Sequence, residues 1–267
     1  MTSALQYNFI QNALLGALLA SIVCGIIGTI IIEKRLVMLS GGIAHASYGG
    51  IGLGYFLGVE PIITGLLFAI ASALCIAGIK RNTSSDSDAL IGMFWAVGMA
   101  LGILFIALTP GYPPDMSSYL FGDILTISRT NIMLALGMDI FILLSIAAFF
   151  NHWKAYLFDE EFSSVIGIDT RFLEYFLSVL VGMSIVILIK IVGIVLVIAL
   201  LTIPPATASL FSRNLLGIMK LSIVLGMANC LLGLVVSYIF NIPSGATIIL
   251  VSCGVYFASL LFKGKKV

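Results

Sequence analysis

The sequence predicts an all-α fold, a polytopic bundle of eight to nine membrane-spanning helices with a short coupling helix on the cytoplasmic side. Of its 267 residues, 61% are hydrophobic and only 9% are charged, whereas about a quarter of the residues in a soluble domain are charged. The apolar residues form runs of roughly 20, the length of a helix that crosses a bilayer. The polar segments between these runs are too short to fold independently. We therefore expect residues 1–267 to form a single transmembrane domain.

Eight apolar runs have the length of a span, and the sixth, 172–211, is long enough for two. Lys190 and Gly193 interrupt the sixth run, and we predict a turn between two helices there. This division gives nine spans, and eight are left if one half is re-entrant. The first run is too long for a signal peptide and no Lys or Arg precedes it, so we interpret it as a span. The other seven runs are 8–32, 36–58, 61–79, 89–108, 131–150, 216–240 and 246–262.

Lysine and arginine are distributed unequally between the two sides that nine spans define. One side receives eleven of these residues, and the other receives only Arg129 and Lys190. Cytoplasmic loops of membrane proteins carry an excess of positive charge, so the first side is predicted to be cytoplasmic. The C-terminus and the segment 151–171 then lie inside, and the N-terminus and the segment 109–128 lie outside.

Composition and motifs exclude several functions. A net charge of +1 without a basic cluster excludes a nucleic-acid-binding protein. The chain contains no G-x-x-x-x-G-K-[ST] phosphate loop and no HExxH motif, so we expect no enzymatic activity and no permanently bound cofactor. The four cysteines lie in apolar runs without a CxxC pair, which favours neither a disulfide framework nor a zinc knuckle. They are Cys24, Cys75, Cys230 and Cys253.

Two ionisable residues are predicted to lie deep in the membrane. His45 is about 15 Å from Arg35 along the second span, at 1.5 Å per residue, and Asp139 lies in the fifth span. Such groups usually face a cavity or a partner and often mark an ion pathway. Both are therefore candidates for a metal pathway. The alternative is that His45 forms a packing hydrogen bond to a neighbouring helix and that Asp139, ionised or protonated, is bonded within the bundle.

Small residues recur at every fourth position of the second span. They let another helix approach closely, and we predict that they form a packing surface bordered by His45. The stripe consists of Gly42, Ala46, Gly50, Gly54 and Gly58.

The long sixth run contains the adjacent prolines Pro204 and Pro205. Each proline lacks a backbone donor and clashes with the preceding turn, so we predict a break in the helix at this pair. Carbonyl groups freed at membrane depth need a protein or water partner. The break therefore either lines a pathway or serves packing alone.

The cytoplasmic segment 151–171 contains the pattern of a short helix, with three acids at its start and glycine at its end. Apolar residues at i, i+3 and i+4 share one face, which would be exposed without a partner. We predict that this helix docks a cytoplasmic subunit. A helix resting on lipid is the alternative, although membrane-binding helices have basic rather than acidic polar faces. The predicted docking residues are Asp159, Glu160, Glu161, Phe162, Val165, Ile166 and Gly167.

Taken together, these patterns resemble the integral-membrane permeases of zinc and manganese ABC importers over nearly the whole chain. The resemblance rests on the order of five stretches rather than on any one of them. These are the stretch 35–50 with S-G-G-I-A-H-A-S-Y-G-G, Y-L-F-G-D-I-L from Tyr119, F-D-E-E-F-S-S-V-I-G-I from Phe158, A-L-L-T-I-P-P-A-T-A from Ala199, and N-I-P-S-G-A-T from Asn241.

The resemblance implies a prokaryotic plasma-membrane protein, surrounded by lipid, that pairs with a second permease copy. It further implies two cytoplasmic ATPase subunits, which bind the ATP, and an extracellular or periplasmic metal-binding protein that delivers the ion. Zinc or manganese would then pass His45, which matches the motif histidine of the family. The chain departs from many members at Gly41 and Ala44, where they have an acid and a serine.

Two other transporter classes are considered beside this one. A secondary ion-coupled transporter usually has interrupted helices in both halves, whereas the proline pair occurs in one half only. An ABC permease for a non-metal or chelated-metal cargo, such as cobalamin or a siderophore, is expected to have a longer chain and a wider cavity. A purely structural scaffold leaves His45 and Asp139 without a role.

Overall fold

The computed structural model describes residues 8–83, 86–111, 119–120, 122, 124 and 127–264. Regular structure within these residues is helical, without β-strands. The helices are α1 Asn8–Glu33, α2 Val37–Leu57, α3 Pro61–Asn82, α4 Ser87–Leu108, α5 Arg129–Ala148, α6 Phe150–Phe158, α7 Glu160–Val165, α8 Thr170–Val192, α9 Ile194–Phe211, α10 Leu215–Phe240 and α11 Ser244–Gly264. The predicted all-α fold is confirmed.

Among the described helices, eight are long and apolar enough to cross a membrane, and α2 is not one of them. Yet α2 has 21 residues, which at 1.5 Å per residue extend about 31 Å, the thickness of a hydrocarbon core. Gly42 faces Ile91 and Gly52 faces Gly102, so α2 and α4 run in the same direction. The intervening α3 returns the chain between them. This arrangement supports α2 as a ninth span whose glycines and serines lower its hydropathy.

The chain forms two compact units. The first comprises the described residues of Met1–Glu33, Ser117–Leu143 and Leu188–Val267, and the second those of Lys34–Met116 and Leu144–Ile187. In the first unit, α1 packs against α9 and α10, and α11 packs against both of these helices. In the second unit, α2 packs against α3 and α4. Each unit therefore combines helices that are distant in sequence.

The predicted turn in the sixth apolar run is confirmed at Gly193. α8 ends at Val192 and α9 begins at Ile194. Gly193 has φ 81° and ψ 160°, a conformation that is essentially restricted to glycine. Its amide donates to the carbonyl of Ile189 at 2.9 Å. Gly122 lies so close to the Val192–Gly193 peptide that a Cβ there would overlap it.

The predicted break at Pro204 and Pro205 is wrong, because α9 continues through both prolines. Proline has a φ angle near the helical value, so it fits a helix wherever the loss of its N–H bond is tolerated. Gly28 on α1 lacks a side chain where it contacts the Leu201 carbonyl and Pro205, which lets α1 cover this part of α9. The hydroxyl of Thr207 donates to the Ile203 carbonyl at 2.7 Å. Tertiary packing therefore retains the helix.

Replacing Gly193 with alanine should destabilise the protein by about 1–3 kcal/mol, because a side chain strains this backbone conformation. Thermal unfolding of the detergent-solubilised protein measures the effect. Gly137→Ala in α5 is the matched control, since a Cβ at Gly137 would meet no atom within 4 Å. Equal midpoints for the two variants would contradict the role given to Gly193.

Candidate functional site

His45 lies in the middle of α2 and is half-buried. Its ring nitrogen Nδ1 is 2.9 Å from the backbone oxygen of Gly41, one turn earlier in the helix. Because a carbonyl oxygen only accepts hydrogen bonds, Nδ1 carries the proton that it donates. In the neutral ring, the other nitrogen Nε2 then has the lone pair with which imidazole binds metals. The local structure therefore presents His45 in the tautomer of a metal ligand.

An indole from α4 covers one face of the imidazole. The ring centroids of His45 and Trp95 are 3.9 Å apart and their planes differ by 16°. Trp95 was not among the residues predicted from the sequence. Its spacing from Ile91, Gly98 and Gly102 places all four residues on one face of α4. This pattern in the sequence could have identified Trp95 as a residue of the surface that packs on α2.

The small residues of α2 divide between two neighbouring helices. Gly42 and Ala46 contact α4, whereas Gly50 and Gly54 contact α3. Positions four apart on an α-helix turn about 40° around its axis at each step, so one partner does not cover the whole stripe. Gly58 differs from the prediction, because it ends α2 with φ 67° and a Cβ there would meet no atom within 4 Å. Its role is to terminate the helix.

Asp139 lies in α5, in the unit that does not contain His45. Its side chain is 3% exposed, and its Oδ2 has no hydrogen-bond partner among the described residues. Within the described chain, no group of three or more His, Cys, Asp and Glu residues could hold a metal ion. The shared pathway of His45 and Asp139 is still a prediction.

Helix α7 is shorter than the predicted segment. Asp159 caps its start, since Oδ1 accepts a hydrogen bond from the amide of Phe162 at 2.9 Å. Glu160 and Glu161 follow in the first turn and are exposed. The chain leaves the helix before Gly167, which has φ 88°. The acids therefore begin the helix and the glycine follows it, as the pattern predicts.

An apolar surface surrounds α7. Phe162, Val165 and Ile166 are 58%, 83% and 54% exposed, and Phe158 just before the helix is 92% exposed. The opposite side is anchored by Ser163, which is fully buried and whose hydroxyl donates to the Asp159 carbonyl at 2.6 Å. Helix α7 thus directs large apolar side chains away from the rest of its unit.

Lys34, in the turn before α2, contacts the coupling segment. Its Nζ is 2.8 Å from Glu160 Oε2 and 3.5 Å from the centroid of the Tyr156 ring in α6. Burial raises the pKa of Tyr156, and the negative charges of Glu160 and Glu174 raise it further. A second ion pair joins Arg81 at the end of α3 to Glu174 in α8 at 2.7 Å. Both pairs line a cavity of about 850 Å³.

Comparisons with known proteins place this arrangement in a family. Residues 6–263 match the ABC 3 transport family. An uncharacterized membrane protein of Synechocystis is 42% identical over 98% of this chain and 94% of the relative. The manganese import system permease protein ScaB of Streptococcus gordonii is 31% identical over 98% of this chain and 94% of its own length. The structure of PsaBC from Streptococcus pneumoniae in complex with Fab superposes with a TM-score of 0.86 and 33% identity, covering 95% of this chain and 91% of that one.

Replacing Lys34 with methionine should lower the free energy of unfolding by about 1–2 kcal/mol, because the chain loses an ion pair and a cation–π contact. The midpoint of thermal unfolding in detergent measures this loss. Lys154→Met in α6 is the control, because Lys154 is exposed and forms no ion pair with a described residue. An equal midpoint in both variants would show that the Lys34 contacts contribute nothing.

Proposed function

Because this chain belongs to the ABC 3 transport family, we propose that it is the permease subunit of an ATP-binding-cassette importer that carries a divalent metal ion, manganese or zinc, into the cytoplasm. The name of the ScaB relative and the whole-length similarity support this function. The observation that carries it within this chain is the 2.9 Å contact of His45 Nδ1 with the Gly41 carbonyl, which favours a proton on Nδ1. An imidazole in the middle of a span, whose Nε2 makes no hydrogen bond to a described residue, is suited to a transient metal contact.

Asp139 is proposed as a second group of the pathway. A carboxylate without a partner is unfavourable in a membrane interior, and one oxygen of Asp139 lacks a protein partner among the described residues. A passing cation would supply the missing interaction. The proposal for Asp139 is separate from that for His45, which lies in the other unit of the chain.

The ATPase subunits are proposed to dock on the exposed apolar surface of α7. Because the chain has no phosphate loop, ATP hydrolysis has to come from a separate polypeptide. Phe162, Val165 and Ile166 provide the contact area, and the acids at the helix start add charge complementarity to a basic groove. Lys34 connects this helix to the turn before α2, so the docking site is attached to the helix that carries His45.

The remaining parts of the proposed assembly follow from the predicted orientation of the chain in the membrane. Helix α7 and the C-terminus lie on the cytoplasmic side of a prokaryotic plasma membrane, where most lysines and arginines are expected. A second permease copy forms the other half of the pathway, and lipid covers the rest of the helix surfaces. A metal-binding protein outside the membrane delivers the ion.

His45→Ala should lower the initial rate of manganese uptake by at least about tenfold, since even the loss of an outer-shell partner of a metal ligand reduces affinity by about 10–100-fold. Uptake into proteoliposomes containing the permease, its ATPase and the loaded binding protein measures the rate. His152→Ala is the matched control, because His152 is the second of two histidines and is exposed on α6. Unchanged uptake by His45→Ala would refute its ligand role.

Phe162→Asp should abolish copurification of the ATPase, because it places a charge in the centre of the docking surface. Phe211→Asp provides a control of the same chemistry, since Phe211 is 59% exposed and Phe162 is 58% exposed. Affinity purification of the tagged permease, followed by quantification of the bound ATPase, measures the effect. If both variants retain the ATPase equally, the docking surface lies elsewhere.

A further inference from the structure

Two contacts fix the orientation of the His45 ring. The Gly41 carbonyl, 2.9 Å from Nδ1, fixes the direction in which the ring edge points. The Trp95 indole, stacked at 3.9 Å between centroids, fixes the tilt of the ring plane. The ring torsion χ2 of histidine is otherwise broad. With both contacts made, Nε2 points in one direction before any ion arrives.

The position of the indole is a consequence of backbone contact between α2 and α4. A Cβ at Gly98 would overlap the backbone of Ala46, one residue after His45. On the other side of His45, a Cβ built at Gly41 would lie 3.7 Å from the Trp95 ring. The indole of Trp95 therefore fills the space next to the imidazole along α2.

A stacked indole is compatible with metal binding to the same imidazole. A metal coordinates Nε2 in the plane of the ring, whereas Trp95 covers the face of the ring. The indole therefore leaves the lone pair accessible and excludes water from one side. Groups that orient a metal-binding histidine in this way affect affinity without touching the ion.

We propose that Trp95 is a positioning residue for the transported metal ion, which holds His45 so that Nε2 meets the ion in a fixed geometry. This inference rests on the proposed function of His45 and adds a residue of α4 to the metal pathway. It gives the indole a role in affinity that is separate from helix packing.

Two substitutions at position 95 distinguish positioning from packing. Trp95→Phe retains an aromatic face over His45, whereas Trp95→Ala removes it. We expect Trp95→Ala to raise the manganese concentration for half-maximal uptake by about 10–100-fold, the effect of losing an outer-shell partner of a metal ligand. Trp95→Phe should restore most of the affinity. ATPase copurification and the thermal midpoint report whether either variant is merely misfolded. Equal half-maximal concentrations for Trp95→Ala, Trp95→Phe and the unmodified protein would overturn the proposal.

The two tryptophans of the chain allow a direct spectroscopic test. Trp153 is fully buried, and its Nε1 makes no hydrogen bond to a described residue, so Trp153→Phe removes no such bond. In that variant Trp95 is the only fluorophore of its type. Paramagnetic Mn²⁺ should quench its emission in a saturable manner, and Mg²⁺ should not.

The quenching has to depend on His45. Addition of His45→Ala to the Trp153→Phe protein should abolish it. A Trp153→Phe protein that transports manganese but shows no His45-dependent quenching would overturn the proposal for Trp95. Conversely, quenching that depends on His45 in a protein without ATP-driven uptake would refute the importer function and leave Trp95 beside a metal ligand.

Discussion

The backbones of α2 and α4 touch because glycine and alanine occupy the positions where the two helices meet. Between helices in a bilayer the hydrophobic effect provides little attraction, and close van der Waals contact between small residues takes its place. A side chain at Gly98 or Gly102 would overlap the backbone of α2. The distance between these helices is therefore set by the absence of side chains, and the stacking of Trp95 on His45 depends on it.

Buried polar side chains of the long helices differ in whether a hydrogen bond within their own helix satisfies them. Most buried hydroxyls donate to a carbonyl one turn earlier in their own helix, as Ser21, Thr29 and Ser184 do at 2.6 Å. Such a group is satisfied locally and needs no partner from another helix. Asp139 has no equivalent arrangement for one of its oxygens among the described residues. His45 satisfies one nitrogen within α2, and its other nitrogen makes no hydrogen bond to a described residue. Ser222 and Asn229 in α10 also have a buried side-chain atom without a partner among the described residues, but neither of them is ionisable.

Local features were predictable from the sequence, and contacts between distant segments were not. Runs of apolar residues predicted the long helices. The charge of Lys190, followed closely by Gly193, predicted the turn between α8 and α9. The helix through Pro204 and Pro205 was mispredicted because proline propensity is local, whereas the contact with Gly28 joins residues far apart in the chain. Trp95 was missed for the same reason, since fifty residues separate it from His45 and only the packing of α2 on α4 brings them together.

The contacts of Lys34 link the turn before α2 to helices α6 and α7. An α-helix is stiff along its axis, because every residue is tied to the next turn by a backbone hydrogen bond. Lys34 is bound to Glu160 in α7 and to the ring of Tyr156 in α6, so a force applied to α6 or α7 acts on the turn at the end of this rod. An axial displacement of such a rod moves its far end with little loss to bending. In the proposed importer, a movement of the docking helix α7 would therefore reach α2 through the contacts of Lys34.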